Sequence, residues 1–166
     1  SETFRKQDEQ VMAFNIRTTL EAIESHISRS GYVGDVQIGE PVAPPDATDR
    51  IHAAIYMATA GVAELTLSST IEVHVCIARL YRRAAFGEGD DSGEVEMDMA
   101  LAVSEVSSNL IGEFDLGETI RNIDVAGQFG QALTAQWGYV ALNQTMYRTV
   151  DITIPLVVDG SAEQAA

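Results

Sequence analysis

Cysteine occurs once, tryptophan once and histidine three times in these 166 residues, and each scarcity removes a class of function. A single thiol, Cys76, can form no internal disulfide, and inside an apolar run it reads as a small core residue, so the fold needs no oxidising compartment. His26, His52 and His74 stand far apart, with none of the short spacings of zinc ligands or of a catalytic pair. Basic residues are few as well: 10 Lys and Arg against 25 Asp and Glu give a formal charge of -15. A grip on nucleic acid needs clustered Lys and Arg, which this balance argues against. Apolar runs stay well short of the roughly 18 residues of a membrane span, and Ser1 to Gln10 is charged, unlike a signal peptide. The expected setting is the cell interior or a virion, with no membrane partner.

Chemical motifs are missing too. There is no Gly-x-Ser-x-Gly elbow, no Walker loop and no paired Cys, and the spacing of Gly31, Gly34 and Gly39 is that of turns, not of a dinucleotide fingerprint. Glu88, Asp90, Ser92 and Gly93 imitate the opening of a calcium loop, but the twelfth position, which needs a bidentate acid, is Met99. The segment therefore reads as a solvated acidic loop leading into a helix. No catalytic, cofactor-binding or metal-ligating residue is assigned, and the expectation is a protein that is not an enzyme and carries no cofactor.

What the chain does have is apolar content, 46% with five Phe and five Tyr, enough for one domain that buries about 70% of its unfolded surface. Ile16, Leu20, Ile23 and Ile27 share one helical stripe, closed by Gly31. Asp35 to Ile38 reads as a short strand, the proline-rich stretch 39 to 49 as a stiff loop, and Ile51 to Ala58 as a strand that gives way near Gly61. Ser69 to Arg82 is apolar on most of both faces and is expected to be a central strand. Ser92 is the expected cap of a helix whose stripe runs Val95, Met99, Val103 or Ala102, Val106, Leu110 and Phe114. A short strand at Ile120 to Val125 follows, then strands at Ala132 to Leu142 and Met146 to Val158 around an Asn143-Gln144 turn, with Pro155 pointing to a sheet edge. The predicted fold class is α+β, a mostly antiparallel or mixed sheet flanked by two main helices. Residues 1–13 form an arm, 14–158 the domain and 159–166 a flexible tail.

Basic and aromatic residues concentrate at one strand end, at Arg79, Tyr81, Arg82, Arg83 and Phe86, in an otherwise acidic chain. With Trp137 and Tyr139 they are the candidate subunit-interface residues, suited to an acidic patch on a neighbouring copy. The alternative is a set of solvated charges, each exposed pair being worth about 0–1 kcal/mol.

An ordered set of features, from the helix Ile16 to Ile27 closed by Gly31 through the Pro44-Pro45 loop, resembles the tail terminator proteins of long flexible-tailed phages, particularly those of actinobacteria. The other features are Ser69-Thr70-Ile71-Glu72-Val73-His74-Val75 running to Tyr81-Arg82, the helix at 94 to 114, Gly138-Tyr139-Val140, and Tyr147-Arg148-Thr149-Val150-Asp151-Ile152-Thr153-Ile154-Pro155-Leu156. The resemblance spans roughly residues 14 to 158 and implies a six-subunit ring on the head-proximal end of the tail tube. Such a ring stops tube growth and offers a docking surface to the neck. Its implied partners are further copies of itself, the tail tube protein and a head-proximal neck or connector protein, and genomic DNA passes through the channel without specific binding. The implied location is the virion, at the head–tail junction, after assembly in the host cytoplasm. Acidic walls would repel phosphate and ease that passage. The rival readings are another connector or stopper protein of the neck, and a small α+β ligand-binding module or enzyme.

Overall fold

The computed structural model describes residues 14–42, 50–87, 89 and 91–160. The expected arm over 1–13, the part of the proline loop that holds Pro44 and Pro45, Glu88 and Asp90 of the acidic loop, and residues 161–166 of the expected tail lie outside them.

Helix α1 runs Ile16–Arg29. It starts at Asn15 because that side chain accepts the Thr18 N–H, 3.2 Å away, which no helical carbonyl can reach. Gly31, at φ +82°, turns the chain out of it. Ile23 and Ile27 of the expected stripe are fully buried, whereas Ile16 on the first turn remains exposed.

Strand β1 (Val33–Ile38) lies parallel to the start of β2 (Ile51–Leu65), and β2 pairs antiparallel with β3 (Thr70–Arg83). The expected break near Gly61 is absent. β2 runs on to Leu65 because β3 offers paired backbone as far as Thr70, and Gly61 faces open space, where a missing side chain forfeits little packing. Helix α2 (Ser92–Gly112) is capped by Asp91 and not by Ser92, since the Asp91 carboxylate accepts the Glu94 N–H at 3.0 Å. Val95, Met99, Ala102, Val103, Val106 and Leu110 make its buried stripe. Phe114 does not join them: the helix stops at Gly112, the chain turns through left-handed Leu116, Gly117 and Glu118, and Phe114 is exposed.

Strand β4 is only Asn122–Ile123. It ends early because the buried Asp124 carboxylate accepts the N–H groups of Gln128 and Phe129 at 2.7 and 2.8 Å, folding the chain into a loop where the sequence suggests more strand. β5 (Thr134–Leu142) and β6 (Thr145–Gly160) then form a hairpin whose turn residues, Asn143 and Gln144, both have positive φ.

The strand order is β1-β2-β3-β6, with β4 and β5 both on the outer flank of β6. Pro155 therefore does not mark an edge strand. Its carbonyl accepts the Asp124 N–H, and its own missing N–H points to the same flank, into the gap between Thr153, paired with β5, and Leu156, paired with β4. Period-two patterning puts Cys76, Ala78 and Leu80 of β3, and Val150, Ile152, Ile154, Leu156 and Val158 of β6, in one core with the helix stripes. The result is an α+β fold in which two helices flank a curled, mostly antiparallel mixed sheet, a half-barrel. Among the described residues no helix is long and apolar enough to cross a membrane.

Candidate assembly surface

The three histidines each meet one carboxylate and not each other. His26 Nε2 lies 2.8 Å from Glu113, His52 Nδ1 3.1 Å from Asp35, and His74 Nε2 3.8 Å from Glu72. No group of three or more His, Cys, Asp and Glu placed to hold a metal occurs among the described residues. An open hollow of about 300 Å³ beside Arg82 is lined by Tyr32, Arg50 and Asp98. Its two guanidinium groups can attract an anion, but Asp98 already neutralises Arg82.

His52 is buried on the sheet face away from the helices, where its ring meets Tyr81 at 5.7 Å. Burial lowers its pKa below the ordinary 6.5, and the nearby Asp35 carboxylate only partly offsets this. The unfolded chain therefore takes up a proton at His52 before the folded chain does, so this residue's contribution to stability falls as pH drops below about 6.5, with a slope of at most about 1.4 kcal/mol per pH unit. Denaturant midpoints measured from pH 7.5 to 5 are expected to fall faster for the natural chain than for His52→Asn, and equal slopes would rule His52 out as the source.

The candidate interface residues divide by strand alternation. Arg79, on the face away from the helices, makes a two-pronged bond to Asp151 at 2.7 and 2.9 Å with Tyr56 alongside, which raises its pKa through that hydrogen bond. Tyr81 is enclosed on the same face, edge-on to Tyr147, and donates its hydroxyl to the Val42 carbonyl at 2.9 Å. Arg82 points the other way and ties β3 to α2 through Asp98. These three hold the fold together. Arg83, Phe86, Trp137 and Tyr139 are exposed. Phe86 packs on Tyr139 at 5.7 Å, and Arg148 lies 4.6 Å over the Tyr139 ring while gripping Glu96 of α2. A loop and two strands thus build one aromatic patch beside α2.

A second surface lies around Gly61, where a break in the strand is expected from the sequence. From Met57 onward β2 leaves β1 behind, and with β3 and the end of β6 it forms an arm on which apolar side chains of β2 and the following turn face outward: Val62 is 59% exposed, Leu65 72% and Leu67 90%. Among the described residues no strand pairs with the outer edge of β2 beyond Ile55, nor with the outer edge of β5. Among the described residues the sheet therefore ends in two rows of unpaired backbone donors and acceptors, a ready template for another strand. Alternation across Gly61, with Ala60 and Val62 on one side and Thr59 on the other, is the signal that could have revealed this arm.

The sequence matches no model of a known protein family, and no curated protein is similar enough to it to count as a relative.

Proposed function

We propose that this chain is a structural subunit that assembles with copies of itself into a ring, and that the ring caps the head-proximal end of a phage tail tube, stops its growth and receives the neck. The observation that carries the reading is the outward-facing apolar arm, Met57 to Leu67, in a chain of charge -15. A folded chain this acidic has ample charge to shield a sheet edge, yet this stretch holds only Glu64. Exposed apolar surface arranged along an unpaired strand suits burial against another protein. The tail-terminator-like fold is part of the proposal and rests on the sequence resemblance. Identical head-to-tail contacts close into a ring, and a ring face that does not repeat the tube surface leaves the next tube ring nothing to match.

Negative-stain imaging of the purified protein, alone and with polymerising tail tubes, tests this. Rings are expected on their own, and tubes capped at one end are expected to stop lengthening. Capture by capsids and not by tubes would move the protein to the portal side of the neck. A monomer at every concentration that leaves tube length unchanged would end the reading.

A further inference from the structure

We propose that copies of this chain join by strand addition: the open edge of β2 in one copy pairs antiparallel with the open edge of β5 in the next, Gly61 lying opposite Gly138. The inference rests on the reading of the chain as a self-assembling subunit and specifies the surface that does it.

Strand direction makes the sheet self-complementary. β2, β3, β6 and β5 alternate in direction, so the two outer strands run opposite ways. A second copy displaced sideways without being turned over brings one edge of each kind together in the antiparallel sense, which has the better hydrogen-bond geometry. The contact is heterologous, so every copy keeps one edge of each kind for its neighbours until the ring closes.

Charge points the same way. The open run of β2, Met57 to Leu65, and the whole of β5, Thr134–Leu142, are nine residues each and hold a single charge, Glu64. The chain average of 21% charged residues would place about four there, and charge is the usual means of keeping a solvent-facing edge from pairing.

Face matching fixes the register. Ala60 and Val62 lie level with Leu156 and Val158 across β3, on the same face of the sheet as the helices but beyond their cover. Trp137 and Tyr139 lie opposite Val150 and Arg148, on that same face. Placing Gly61 opposite Gly138 sets Val62 beside Trp137 and Ala60 beside Tyr139, with side chains close enough to touch. A slip of one residue would turn the apolar partners to opposite faces. Irregularities in the β2–β3 register flank Thr59 to Val62 and leave those four residues regular, so the ladder centres there.

The fit also has room. Gly61 stands level with Val157 of β6 and Gly138 with Thr149, so the two edges are offset by eight residues, about 27 Å at ~3.4 Å per residue. Each added copy is displaced along the strands by that amount, which in a closed ring appears as strand tilt. β1 covers β2 only as far as Ile55, and β4 meets β6 only at Leu156 and Val157, so neither blocks the contact. Leu65 and Leu67 from one side and Phe86, Trp137 and Tyr139 from the other enlarge the strand contact toward the roughly 1,000 Å² that a stable interface needs.

Cysteine cross-linking of the full chain tests the register. A Cβ at Gly61 meets nothing within 4 Å and one at Gly138 meets only Thr149 Oγ1 at 3.4 Å, so both positions accept cysteine. The natural Cys76 is buried, its thiol pushed up to about 12, and stays silent. Within one chain the two positions are roughly 30 Å apart, three strand spacings and the eight-residue offset, so a disulfide between them joins two copies. The double variant Gly61→Cys/Gly138→Cys is expected to run as a covalent ladder on a non-reducing gel, with more than about tenfold the cross-linked product of Gly61→Cys/Ala141→Cys. A mixture of the two single variants is expected to give the crossed dimer. Ring-sized particles that give no ladder overturn the strand pairing and leave the ring reading standing. A monomer without cross-links overturns both. A Gly61→Cys chain that instead bonds to a cysteine placed at Gln7 of the same chain shows that the amino-terminal segment occupies the edge, and this also overturns the proposal.

Discussion

Replacing Ile154 with alanine is expected to lower the free energy of unfolding by about 2–5 kcal/mol, read as a lower urea midpoint at unchanged slope. Ile154 is fully buried in the middle of β6, and its neighbour on β3 is the fully buried Cys76, whose thiol faces the Ile154 carbonyl at 3.7 Å. The chain here is fixed by β3 on one flank and by β5 and β4 on either side of Pro155 on the other, so the surroundings have little freedom to collapse into the space left behind. Val62→Ala, on a strand of the same sheet, is expected to stay within about 0.5 kcal/mol, because its side chain already stands in solvent. An Ile154→Ala loss under 1 kcal/mol would mean that the core beneath the helices is looser than its burial implies. The pair of variants separates the two uses of apolar residues in this sheet: those beneath the helices stabilise the monomer, and those on the arm contribute nothing until another surface covers them.

Periodicity made the scaffold legible. The stripes of α1 and α2, the two-faced β3 and the Asn143-Gln144 hairpin each follow from spacing alone, and together they fix an α+β fold with two helices on the sheet. What stayed hidden depends on partners far away in sequence. Gly61 looks like a break until β3 is seen alongside it. Pro155 looks like an edge until β4 and β5 are found sharing one flank of β6. Asp91 and Ser92 are both good caps by residue type, and only the backbone path decides between them. From Arg79 to Phe86, closeness in sequence is not closeness in space. Alternation sends Arg79 and Tyr81 to one face and Arg82 to the other, where internal partners hold all three, while Phe86 finds Tyr139 more than fifty residues away. Trp137 and Tyr139 stand exposed on β5, whose outer edge pairs with no strand among the described residues.

Val62→Asp is expected to weaken self-association at least about 100-fold, roughly 2.7 kcal/mol, while leaving a folded monomer. Val62 is more than half exposed in the single chain, so the acid is solvated there and folding is spared. In the proposed contact the same carboxylate would lose water against the Trp137 ring with no cation to meet it, in a chain already at -15. Trp137→Lys is expected to weaken association comparably, through lost aromatic area and a buried ammonium. If the two side chains touch across the interface, the double variant Val62→Asp/Trp137→Lys brings the opposite charges together and recovers at least about 1 kcal/mol relative to the sum of the single losses. Analytical ultracentrifugation of the four proteins at one ionic strength supplies the cycle, with salt held constant because exposed charges are screened over about 8 Å under physiological conditions. Strict additivity would place Val62 and Trp137 in separate contacts, and would leave the arm in need of a partner other than β5.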